Sequence, residues 1–253
     1  MNKLTTTLLT TLILLCFFSC QKETNQIEDF NNFIGKQKSK AFNQAIESYY
    51  NFLEINFQDC VNTSDRTKAF LTRVAHFNIP DSTWTLTTDE NQKIIELWDA
   101  SGLRKEIWIY GYESYESRFN VFELLKPKKT KSNSQLGNMN LEEIVDDEIS
   151  VSDSLELVKR IKEMKLESKL IQENSLSTNI NGEFLYGLSK YASTDSVVNE
   201  YVQTKVEFID ISPSIMALAF LDQIQDYEDP FIQRMILVEM YYWTMIWDLE
   251  RKK

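Results

Sequence analysis

Apolar residues recur at every third or fourth position along most of this chain, the spacing that lays one stripe of a helix against a core. From Lys38 to Phe57, the side chains of Phe42, Ile46, Tyr49, Tyr50, Phe52, Leu53 and Phe57 share one broad face, which predicts a long amphipathic helix. Asp65 is placed to cap a second helix, with Ala69, Phe70, Val74 and Phe77 inward and Pro80 beyond its end. Thr88 and Asp89 open a third, with Ile94, Ile95, Leu97 and Trp98 inward and Gly102 just past its last turn. Farther on, Asp153 precedes an amphipathic run that carries Leu157, Val158, Ile161, Met164 and Ile171. Helices also fit Glu183–Tyr191 and Asp195–Val206, and Pro213 suits the start of another that runs through Leu221.

The segment from about Asp229 to Glu250 breaks the one-sided rule. Phe231, Met235, Val238, Tyr242, Met245 and Leu249 share a face, while Ile232, Ile236, Trp243, Ile246 and Trp247 cover adjacent ones. A helix apolar on several sides belongs at the centre of a core. The competing reading is a partner surface presented by Tyr241, Tyr242, Trp243 and Trp247, because aromatic residues are enriched in interface cores. Arg251-Lys252-Lys253 then complement the helix dipole.

Six glycines and four prolines are too few for the turns of an all-β sandwich or barrel. The fold expected is therefore mainly α, a multi-helix bundle or irregular helical array. At most a few short strands are expected near residues 82–87 and 106–124, around Trp84 and Trp108-Ile109-Tyr110. Residues 126–140, beginning Lys126-Pro127-Lys128-Lys129-Thr130-Lys131, read as a polar, basic linker or loop. It divides an N-terminal helical half, 38–125, from a C-terminal half, 141–253, and the two halves are free to form one domain.

The first twenty residues follow a different pattern. Lys3 and the terminal amine precede an apolar, threonine-rich run from Leu4 to Phe18, and Ser19-Cys20 follows. The run is shorter than the ~20 apolar residues a membrane span requires, and Thr5, Thr6, Thr7, Thr10 and Thr11 interrupt it. With the small Ser19 just before the cysteine, Phe17-Phe18-Ser19-Cys20 resembles the lipobox of Gram-negative bacterial lipoproteins, with bulkier residues than usual at Phe17 and Phe18. The resemblance covers residues 1–20 only. It implies that residues 1–19 are a signal peptide cleaved between Ser19 and Cys20. Cys20 is then acylated, and residues 20–37 form a flexible tether. Two or more acyl chains on one cysteine meet the requirement for stable anchoring, which a single chain does not. Gln21-Lys22-Glu23 resembles the export signal of surface-exposed lipoproteins, although Thr24 departs from it. The implied location is the outer membrane, on its periplasmic or its cell-surface face.

A formal charge of −11 argues against nucleic acid as a ligand, since phosphate backbones demand a basic face. The same acidity keeps a domain soluble above an anionic membrane. Of three cysteines, Cys16 lies in the leader and Cys20 carries lipid, which leaves Cys60 and no internal disulfide. His76 is the one histidine, so a Cys60–His76 pair is the single thiol–imidazole arrangement available; both have apolar neighbours and read as core residues. Asp222, Asp226, Glu228 and Asp229 crowd one turn without EF-hand spacing, and read as caps and solvated loop. No cofactor, metal or catalytic residue is expected. The function expected is that of a membrane-anchored envelope lipoprotein that binds or assists an outer-membrane or other envelope protein. The alternative is a surface glycan-binding protein or carboxylate-dependent hydrolase, which requires Trp84, Trp98, Trp108 or Tyr110 to line an open cleft beside two acids.

Overall fold

The computed structural model describes residues 26–76, 84–116, 118–125, 175–208 and 211–250. Residues 26–34 form α1, which buries Phe30 and Ile34, four positions apart on one face. Gly35, at φ 88°, takes the left-handed conformation that glycine adopts without strain, and so turns α1 into α2, Lys36–Asn56. Residues 26–37 therefore correct the expectation of a flexible tether. Phe30, Phe33 and Ile34 are enough to dock one short helix, and the chain is already folded six residues after Cys20.

α3 spans Thr63–Ala75. Its cap is Asn62, whose side chain accepts the Asp65 N–H at 2.8 Å; Asp65, expected as the cap, lies in the first turn instead. α4, Thr88–Ser101, ends at Gly102, again left-handed at φ 76°. α5, Leu103–Ile107, runs directly into β1, Trp108–Tyr110, and a 3-10 turn follows at Val121–Glu123. β2, Leu176–Thr178, pairs with β1 in a two-stranded antiparallel sheet. The remaining helices are α6 Glu183–Tyr191, α7 Ser196–Glu207, α8 Pro213–Gln223 and α9 Pro230–Ile236. Asp195, Ser212 and Asp229 cap the last three with their own side chains. A π turn, Leu237–Tyr241, joins α9 to α10, Tyr242–Glu250.

The fold is mainly α, as the apolar spacing predicts. The described residues 26–109, 115–125 and 177–250 make one compact unit; Tyr110–Ser114, Ser175 and Leu176 belong to a second. In the first unit α2 lies against α3 and α4, α3 packs on α8, and α10 packs on α4. Trp98 of α4 stacks on Tyr242 of α10 with centroids 4.7 Å apart. Helices from both sides of the expected linker thus build one core. In the second unit Tyr110 stacks on Tyr112, and Ser175 C=O accepts the Gly111 N–H.

Two local expectations change. Residues 84–87 are not a strand; Trp84 is buried edge-on against Phe52. β2 has no apolar alternation of its own and arises from pairing with β1. The basic linker 126–140, the acidic stretch after it, the helix expected from Asp153 to Ile171, and Arg251–Lys253 lie outside the described residues. Among the described residues, no helix is long and apolar enough to cross a membrane.

Candidate functional site

Ionisable side chains buried in a core must be paired or must serve a ligand, because an isolated charge there is strongly disfavoured. Two of the buried sets in this molecule are closed. Glu106 of α5 accepts from Lys38 Nζ at 3.0 Å, from Arg118 Nη2 at 3.0 Å, from the Tyr115 hydroxyl, and from the Glu183 N–H at 3.0 Å. Glu183 takes the same two cations, Lys38 and Arg118. Burial alone would raise the Glu106 carboxyl. The bonds from Tyr115, Glu183 and Lys38 outweigh it and hold the group below its ordinary range. Gly182 makes this junction possible, since a Cβ there would collide with the Glu106 carbonyl oxygen.

The second closed set centres on Glu239 in the π turn. It accepts from the Tyr201 hydroxyl at 2.6 Å and from Lys205 Nζ at 3.2 Å, while Lys205 also sits 5.0 Å from the centre of the Trp108 ring. Burial, followed by the Glu239 charge, pushes the Tyr201 hydroxyl well up and keeps it a donor.

Arg234 of α9 is different. Only 3 % of it is exposed, yet no carboxylate lies within ion-pair distance of it among the described residues. Its guanidinium lies 5.8 Å from the Phe30 ring centre and 5.7 Å from that of Phe42. Nη1 donates to the Pro230 carbonyl at 2.8 Å; Nη2 donates to Asn31 Oδ1 at 3.2 Å and to Asn43 Oδ1 at 3.4 Å; Nε has no partner. Burial pulls the guanidinium down to about 10, still charged at neutral pH.

Asn31 and Asn43 are also walls of a surface groove of about 580 Å³ between α1 and α2, shared with Lys36, Ser39, Lys40 and Glu47. A guanidinium only donates, so both amides present their oxygens to it and keep their NH2 groups for other acceptors. Neither NH2 group has an acceptor among the described residues, and neither Lys36 nor Lys40 has an ion-pair partner there. The N-terminus of α2 opens beside them with Gly35 as its cap, no side-chain cap bond and no acid in the first turn. The groove can offer hydrogen-bond donors and positive charge to a ligand.

The residues singled out in the sequence fall elsewhere. Tyr241 and Tyr242, 2 % and 1 % exposed, belong to the core and present no surface. Trp243 is half-buried, edge-on to Trp108 at 5.4 Å, and Trp247 is half-buried. The large apolar side chains that do reach solvent include Phe208, Ile215 and Leu218. Trp84, Trp98 and Trp108 are buried, so they line no open cleft beside paired acids. His76 is exposed rather than core, with Nδ1 2.7 Å from the Thr72 carbonyl, and Cys60 is half-buried with no bond to it. Asp229 caps α9 and Asp226 accepts the Glu228 N–H; among the described residues no group of three or more His, Cys, Asp or Glu is arranged to hold a metal. Ser19, Cys20, Gln21, Lys22 and Glu23 lie outside the described residues. No family model, curated protein or solved structure matches the chain.

The signals for the groove were two, both local. An arginine sits within the apolar run Phe231–Ile236, and two lysines recur at i and i+4 in Lys36 and Lys40. Nothing in the sequence joins them.

Proposed function

We propose that this chain is a lipid-anchored envelope lipoprotein, held to the outer membrane through acyl chains such as palmitate on Cys20, and that it acts by binding rather than by catalysis. The observation that carries the reading is the order of the N-terminus: Lys3, the apolar run from Leu4 to Phe18, then Ser19-Cys20. The acidic domain supports it, since a net negative charge keeps a tethered protein off an anionic surface. The two buried carboxylate clusters support a binding role, because each spends its charges on internal partners. The open groove between α1 and α2 offers a place for a ligand. Another envelope protein remains the partner expected for the assembled function, and the surface-exposed face is the orientation that Gln21-Lys22-Glu23 supports.

Metabolic labelling with an alkyne palmitate analogue tests the anchor. The wild type should incorporate label and sediment with the outer membrane, whereas Cys20→Ser should lose the label and move to the soluble fraction. An unlabelled wild-type protein, or a Cys20→Ser variant that still sediments, would contradict it.

A further inference from the structure

We infer that the groove between α1 and α2 is a binding site for the phosphate group of a phosphate ester, with Arg234 as a buried positioning residue beneath it. Three features converge there, each set by a different part of the chain. The first is the buried charge. Arg234 is desolvated with no carboxylate in ion-pair contact among the described residues, Asp229 acting on it only at longer range, and its Nη2 is met by neutral amide oxygens of Asn31 and Asn43. With their oxygens taken by Arg234, those amides keep their NH2 groups as donors for an acceptor in the groove they line.

The second feature is the cationic rim. Lys36 and Lys40 are one helical turn apart on α2, both exposed and both without an ion-pair partner among the described residues. Like charges at i and i+4 repel, and an anion between them turns that repulsion into attraction. The rim lies on a protein that carries −11 overall, so it is a local reversal of sign rather than a sample of the average surface. The third feature is the start of α2. The Gly35 N–H is taken by the Asn31 carbonyl, but the first turn of this 21-residue helix has no side-chain cap and no acid, the arrangement that favours an anion.

The donor set selects among anions. A carboxylate would be served best by the flat fork of an exposed arginine, but the guanidinium here is covered, and the donors that line the groove are amides, ammonium groups and the Ser39 hydroxyl. Spread donors of this kind suit a compact group with three or more acceptor oxygens, which is a phosphate. Glu47 stands seven residues, or roughly 10 Å, along α2 from Lys40 and farther from Lys36, beyond ion-pair distance of either; at that end an acceptor suits the hydroxyls or amine of the esterified alcohol. The phosphate can come from a soluble ester or from a lipid headgroup. The binding chemistry stands whether or not Cys20 is acylated.

The test uses the full chain in neutral detergent micelles with 15N-asparagine labelling, and Asn31→Gln and Asn43→Gln to assign the two side-chain amides. Glycerol phosphate is titrated in one arm, and phosphatidylglycerol is doped into the micelles in the other. Saturable shifts of both amides are expected, with Lys36→Gln/Lys40→Gln weakening binding at least about tenfold. A response to glycerol phosphate indicates a soluble ester, and a response to phosphatidylglycerol alone indicates a headgroup. No saturable shift in either arm, or an unchanged affinity in the lysine variant, would overturn the inference.

Discussion

Lys205 and Arg234 are both cations buried in the same core, and they are treated in opposite ways. Lys205, 1 % exposed, faces the carboxylate of Glu239, and the pair is closed by Tyr201 and the Trp108 ring. Arg234 is met by neutral oxygens and two phenyl rings. The first arrangement neutralises its charge where it lies and so fixes how α7 meets the π turn. The second leaves the charge to act on whatever occupies the groove above it. Burial is thus a poor guide to role. What separates a structural ion from a functional one is whether the counter-charge is part of the protein.

The closed side of the comparison breaks most severely. Glu239→Gln strands Lys205 in the core and should cost about 3–5 kcal/mol in guanidinium unfolding, with Lys205→Met in the same background recovering much of it. A loss under about 1 kcal/mol would mean that the pair does not hold the core. Gly182→Ala attacks the other closed network by forcing a Cβ against the Glu106 carbonyl, and should cost about 1–3 kcal/mol by the same measurement.

Acid acts on that network too. Glu106 titrates below its ordinary 4.5 when folded, so its contribution is complete above pH 4.5 and disappears as the pH falls through the lower folded value. Stability measured from pH 6 to pH 2 should therefore fall steeply at the acid end, and Glu106→Gln should flatten that fall; an unchanged slope would remove Glu106 as its source. The smallest effect belongs to the open side. Lys36→Gln/Lys40→Gln should change phosphate-free stability by no more than about 0.5 kcal/mol, because neither ammonium has an ion-pair partner among the described residues.

Much of this fold is legible along the chain because helices are local. Asp195, Pro213 and Gly102 mark their ends as caps and stops do, and the stripes through Phe42, Tyr49 and Phe52 or Ile94 and Trp98 turn inward as spaced. The misreadings are also physical. Asn62 and Asp65 are both competent caps three residues apart, and only backbone geometry chooses between them. Phe30 and Ile34 look like a stray apolar patch until α9 and α6 supply the rings of Phe231 and Phe184 to pack against. Tyr241 and Tyr242 carry the same residue types an interface uses, and burial alone tells core from surface. The groove was illegible for the simplest reason. Arg234 stands 203 residues from Asn31 and 191 from Asn43, and no short-range pattern links them.

Arg234→Met measures the difference between the two buried cations most directly, with unfolding followed in phosphate-free buffer and again with glycerol phosphate. If Arg234 serves a ligand, the variant should be about as stable as the wild type without phosphate, because burying a matching apolar chain replaces a buried charge that has no ion-pair partner among the described residues. Added glycerol phosphate should then stabilise the wild type more than the variant. A variant that fails to fold, or that loses the same stability in both buffers, would show Arg234 to be a structural cross-link like Lys205.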